Sequence, residues 1–182
     1  TLDGQNIRDV SLDSLRRAVR VVQQDAFLFT ASLENNIAYG DPWADDDAIY
    51  GAAELAQIDG FVGQLPDGYG TLVGERGMTL SGGQRQRIAI ARAAILGAAV
   101  LVFDDSTAAI DAGTEQRIRQ SLKAHTQSCA TIIISHRLGT LRHADEIVFL
   151  DAGRIVERGN HDELVASGGQ YAALFAMQSS DR

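Results

Sequence analysis

The sequence predicts an α/β layered fold with an inserted helical lobe, and three observations carry that expectation. Short continuous apolar runs at 100–103, 131–134 and 147–150 have the length and branching of strands buried on both faces of a parallel sheet. Helical patterns lie between these runs, and alternation of strand with helix is the grammar of a layered α/β domain. Upstream, from about residue 27 to 77, the texture turns Ala-rich and acid-studded, which marks the lobe.

Each element follows from local chemistry. Asp3-Gly4 is a turn signal, Leu12, Leu15 and Val19 recur at helical spacing, and residues 20–24 form a brief β-branched run that reads as a strand. Inside the lobe, Asp45, Asp46 and Asp47 sit where a helix N-terminus favours negative charge. Ile49, Ala52, Ala53 and Ala56 then repeat at i, i+3, i+4 and i+7. Pro66-Asp67-Gly68 closes the lobe with a turn. Further on, Asp111 caps a helix whose core face is Ile118 and Leu122, and Asn160 with Glu163 makes a capping box ahead of Leu164.

Composition narrows the function classes. At 182 residues, 45% hydrophobic and 22% charged, the chain is an ordinary globular unit that needs no disulfide or structural metal. A net charge of −8 without a basic tract argues against nucleic acid as a partner. The lone Cys129 lies at the head of an apolar run and reads as a small hydrophobe in a reducing compartment. The nearest approach to a membrane span, 88–103, is short and carries Arg92. Starting at Thr1 without a signal peptide, the chain is expected to be a piece of something longer.

The most informative stretch is 80–93, opening Leu80-Ser81-Gly82-Gly83-Gln84 and continuing into an Arg-rich amphipathic helix. A serine and two glycines at a helix start expose backbone N–H groups at the positive end of a dipole, with no Cβ in the way: an anion cradle. A second signal is Asp104, which ends an apolar strand run and so places a carboxylate where α/β sheets gather ligands and where a hard cation wants oxygen. Asp105 follows it directly, and His136 follows the run at 131–134.

These residues resemble the nucleotide-binding domain of ATP-binding-cassette (ABC) transporters, and almost the whole chain aligns with that family in order. The resemblance implies a P-loop NTPase-like (RecA-like) core, truncated at its N-terminus, with an inserted α-helical subdomain. It divides the chain into 1–26, a remnant of the core with the Q-loop; 27–82, the signature subdomain; and 83–182, the rest of the core. It assigns Ser81, Gly82, Gly83, Gln84 and Asp111 to nucleotide binding, Asp104 and Gln24 to Mg2+, and Asp105, His136 and Gln24 to catalysis. Asp104 corresponds to the Walker B aspartate, Gln24 to the Q-loop glutamine, His136 to the switch histidine, and residues 108–111 to the D-loop, which crosses a dimer interface. Residues 71–77, around Glu75, resemble the segment that touches the cytoplasmic loops of a transmembrane domain. With 36–40, 159–163 and 168–171 they look like the multidrug or lipid exporter branch.

The implied function is ATP binding and hydrolysis that powers export, at the cytoplasmic face of a membrane, in a head-to-tail dimer with a second nucleotide-binding domain and with ATP and Mg2+ at the interface. Two departures leave alternatives open. No Gly-x-x-x-x-Gly-Lys-Ser/Thr occurs, and the only lysine is Lys123, so the chain by itself reads as inactive or as a remnant. Asp105 stands where most of the family has glutamate, as in the catalytically weak, regulatory half of a heterodimeric exporter. A soluble repair or chromosome-organising ATPase shares a related signature, but acidic charge and the absence of coiled-coil heptads count against it.

Overall fold

The structure is a computed structural model that describes residues 1–107, 109–125 and 129–180. It divides into two compact units, Thr1–Ile134 and Ser135–Arg182.

The first unit opens with α1 (Leu12–Ala18), capped by the Ser11 hydroxyl, which runs directly into β1 (Val19–Val22). Three helices of the lobe follow: α2 (Leu33–Ala38), α3 (Asp46–Leu55) and α4 (Asp59–Val62). Asp45 caps α3 by accepting the Ala48 N–H, and Ile49, Ala52, Ala53 and Ala56 are all buried, as their spacing predicts. The chain then makes two 3₁₀ turns and enters α5 (Gly82–Ala94), which packs against α2, α3 and β1. β2 (Val100–Asp104), α6 (Ala112–His125) and β3 (Ala130–Ile134) complete the unit.

β1, β2 and β3 form one parallel sheet in that order. Alternation of side chains across the pleat puts Val22, Leu101, Phe103 and Ile133 on one face, in the same core as Ile88, Ile118 and Leu122. On the other face Val21, Ile132 and Ile134 are half exposed, at 53%, 51% and 50%. The expectation of strands buried on both faces therefore fails for β3. A strand at the edge of a sheet, covered by helices on one side only, keeps its apolar composition without the burial.

The second unit holds α7 (Leu138–Leu141), β4 (Ile147–Asp151), β5 (Arg154–Gly159), α8 (His161–Ser167) and α9 (Gln170–Ser180). Here the expected parallel strand at 147–150 is corrected: β4 pairs antiparallel with β5 in a separate two-stranded hairpin. The cause is the two-residue turn between Asp151 and Arg154. Ala152 (φ 46°) and Gly153 (φ 74°) both take positive φ, the requirement of a tight turn matched to strand twist, and the chain must fold back on itself. Asn160 and Glu163 form the predicted capping box. No helix among the described residues is long and apolar enough to cross a membrane.

Candidate functional site

The N-terminus of α5 is closed by a reciprocal pair of bonds. The Ser81 hydroxyl accepts the Gln84 N–H at 3.2 Å, and the Gln84 side-chain oxygen accepts the Ser81 N–H at 2.7 Å. Gly82 and Gly83 N–H are left as the donors at the helix tip with no partner among the described residues. Their lack of side chains matters because Ala109 lies against them. A Cβ on Gly83 would stand 2.8 Å from the Ala109 carbonyl oxygen, and one on Gly82 3.4 Å from the Ala109 Cβ.

Together Ser81, Gly82, Gly83, Arg87, Ala109, Ile110 and Asp111 line a cleft of about 400 Å³. The segments predicted as signature and D-loop are thus two walls of one space, and Ala108 of the latter lies outside the described residues. Arg87 donates to the Gly83 carbonyl at 3.3 Å and to the Gln57 carbonyl. Burial lowers its pKa, and Asp111 opposes that shift. Asp111 accepts the Thr114 N–H at 2.9 Å as the cap of α6, and this bond holds its carboxyl below the usual carboxylate range.

A second group of predicted residues lies at the carboxyl edge of the sheet. Val22 pairs with Phe103 across parallel strands, so Gln24, two residues past β1, and Asp104, the last residue of β2, leave the sheet at the same edge. Both are exposed. Asp105 takes φ 42° and donates its N–H to the Ile134 carbonyl at 2.8 Å, so its backbone is tied to β3 in a left-handed conformation that aspartate tolerates better than most residues. His136 is exposed two residues beyond β3 and belongs to the second unit.

Three polar residues to which the sequence reading gave no structural role tie α5 to its surroundings. Gln86 is buried on α5, and its side-chain amide donates to the Gln23 carbonyl at 3.2 Å and the Gln24 carbonyl at 3.0 Å, tying α5 to the backbone just past β1. Arg92, half-buried at the far end of α5, donates to the Asn36 carbonyl (2.7 Å), the Asn36 side-chain oxygen (3.0 Å) and the Phe27 carbonyl (2.9 Å). Its guanidinium carbon stands 5.5 Å and 5.6 Å from the ring centroids of Phe29 and Tyr39. Asn36, fully buried, also accepts the Phe29 N–H and donates to the Phe29 and Ser32 carbonyls. Burial lowers the Arg92 pKa, with Tyr39 opposing, and no carboxylate is needed because carbonyl oxygens and ring faces do the holding.

The Glu75 segment, predicted to meet a transmembrane domain, forms a 3₁₀ turn with Arg76 (φ 51°) and Gly77 (φ 75°) in left-handed backbone. Leu72 and Met78 on either side of it are each 76% exposed. Arg85 donates to the Leu80 carbonyl at 2.7 Å and to the Gly77 carbonyl at 3.4 Å, and the second bond ties the segment to α5.

The donor set fits the expected ligands in kind. Unpartnered N–H groups at the tip of α5 suit a phosphate oxygen. Among the described residues no three His, Cys, Asp or Glu side chains form a group that would hold a metal unaided. Asp104 and Gln24, both exposed at the same edge of the sheet, suit Mg2+, which takes one or two carboxylates and completes its shell from phosphate and water.

Comparison with known proteins agrees with this geometry. The family model described as ABC transporter matches residues 1–108. The chain is 49% identical over 182 residues to the ATP-dependent lipid A-core flippase of Legionella pneumophila (strain Paris). It is 47% identical over 181 residues to the uncharacterized ABC transporter ATP-binding protein YknU of Bacillus subtilis. It spans 31% of the length of each. Among solved structures, that of a bacterial Atm1-family ABC exporter with ATP bound superimposes with a TM-score of 0.93 and 44% identity, over 97% of this chain and 31% of that one.

Proposed function

The chain belongs to the ABC transporter family, and on that premise we propose that it is the signature-bearing part of a nucleotide-binding domain that powers an exporter from the cytoplasmic face of a membrane. The observation that carries this reading is the cleft at the tip of α5: a helix N-terminus opened by two glycines, facing the Ala109–Asp111 segment.

In this reading Ser81, Gly82 and Gly83 bind the phosphates of an ATP molecule presented by a second nucleotide-binding domain, and Gln84 keeps the helix tip in place through its bond to Ser81. At the sheet edge, Asp105 accepts a proton from the attacking water and Gln24 orients that water; for His136, in the second unit, the resemblance to the family implies contact with the γ-phosphate. Asp104 and Gln24 would hold Mg2+, which when bound neutralises charge on the phosphate oxygens. The Glu75 segment, flanked by exposed Leu72 and Met78, meets the transmembrane domain.

The relatives whose names specify a role support the exporter branch: one is a lipid A-core flippase and another an Atm1-family exporter. A second reading, the weak half of a heterodimeric exporter, is favoured by Asp105, whose side chain is one methylene shorter than glutamate.

The test is turnover in the full-length transporter, reconstituted with its partner. Ser81→Arg places a long cation over the cradle and is expected to cut hydrolysis at the opposing site by about 100-fold or more. Unchanged hydrolysis by this variant, with nucleotide still bound, would sink the assignment of the cleft.

A further inference from the structure

Along α9, Tyr171, Leu174, Phe175 and Gln178 fall at i, i+3, i+4 and i+7, one face of a helix. The first three enter the core of the second unit, where Tyr171 is fully buried and packs with Leu138, Ile147 and Leu164. The fourth position would be apolar if the stripe simply continued. Instead the Gln178 amide nitrogen donates to the His136 carbonyl at 2.7 Å, and its oxygen accepts the Leu138 N–H at 3.0 Å. One carbonyl and one N–H facing the same amide admit a single orientation of it. The two bonds straddle Arg137 and restrain the peptide units on both sides of it.

The rest of the helix is seated to make that grip firm. At its start the Glu157 carboxylate accepts the Gln170 and Tyr171 N–H groups, and the Tyr171 hydroxyl lies 2.8 Å from the His161 Nδ1. At the other side of the contact, Leu138 is buried at 3% exposure, so the turn after His136 is pinned by a side chain as well as by the amide. The His136 ring itself is exposed. These contacts therefore fix the backbone position from which the ring projects.

We infer that Gln178 is a positioning residue for His136, holding the switch turn from the C-terminal helix. The inference rests on the proposed role of His136 in hydrolysis. It assigns Gln178 a task that the contacts of α9 with its own core do not require, since leucine would fill the same position in the stripe.

The experiment compares Gln178→Leu, Gln178→Ala and His136→Ala in the full-length transporter, with three readouts: kcat and KM for ATP per active site, melting temperature, and hydrogen exchange at the Leu138 amide. For Gln178→Leu we expect faster Leu138 exchange, a kcat lowered about tenfold by misplacement of the imidazole, and a KM and melting temperature near those of the unaltered protein. A merely structural residue would lower the melting temperature and the active fraction while turnover per active site stayed intact. Gln178→Leu with faster Leu138 exchange and full kcat, beside a crippled His136→Ala, would overturn the inference alone. Full kcat in His136→Ala would overturn the role of His136 and the inference with it. Gln178→Ala checks that the kcat effect does not come from the bulk of leucine.

Discussion

The tip of α5 and the carboxyl edge of the sheet lie in the same unit, yet they are built from different materials. At the tip the chemistry is largely backbone chemistry: Gly82 and Gly83 offer N–H groups, and the side chains of Ser81 and Gln84 each accept the other residue's backbone N–H. At the sheet edge it is side-chain chemistry: Gln24, Asp104 and Asp105 depend on reach, charge and rotamer. The tip should therefore fail by steric intrusion, whatever the polarity of the intruder. The edge should fail by changes of length or charge that leave the fold untouched.

The sharpest way to separate the two is Asp105→Glu. It lengthens the proposed base by about one methylene, and a misplacement of about 1 Å is worth up to about 100-fold in rate. A rise in turnover at this chain's own site is expected in a single-turnover assay of the full-length protein. The left-handed backbone at Asp105 works against the longer side chain and sets an upper limit on the gain. If the rate stayed the same while Asp105→Asn abolished it, aspartate would be a competent base, and the weak-half reading would be given up.

Next in size is Gly83→Ala. A methyl group 2.8 Å from the Ala109 carbonyl must push two backbone segments apart, with a cost of about 1–3 kcal/mol and a deformed cleft. Chemical denaturation and hydrolysis should both register it. An alanine accepted without loss of either would show that the tip tolerates bulk, against the comparison just drawn.

The smallest effect concerns pH. The folded-state pKa of Asp111 is depressed by the Thr114 N–H, so its contribution is present above the unfolded value of about 3.9 and lost as pH falls through the folded value. Asp111→Asn keeps an acceptor for Thr114 but cannot titrate. The variant should therefore lose less of its urea midpoint between pH 5 and pH 2 than the unaltered chain. Equal losses would show that the cap carries no charge dependence.

Much of this was legible in the sequence for physical reasons. The α3 stripe with its acidic start, the caps at Asp111 and Asn160, and Asp104 at a strand end are local patterns, and local patterns report themselves. β4 was legible as a strand but not in its pairing: apolar length says strand, and only Ala152-Gly153 says hairpin. The bonds of Gln86 to the Gln24 carbonyl and of Arg92 to Asn36 and Phe27 were not legible, because they join residues 56 to 65 positions apart along the chain. Gln178 did leave a trace, a polar residue where an apolar stripe should continue, which only its contacts explain.

The Arg92 fork has a consequence for reading natural variation. Lysine preserves the charge and nearly the length, and a chemical-similarity table ranks the exchange as mild. An ammonium is a single point, however, and cannot span two oxygens of Asn36 and one of Phe27 while lying against a pair of touching rings. A lysine allele at this position belongs with deletions of a buried side chain, and a screen that sorts variants by charge class would file it in the wrong column.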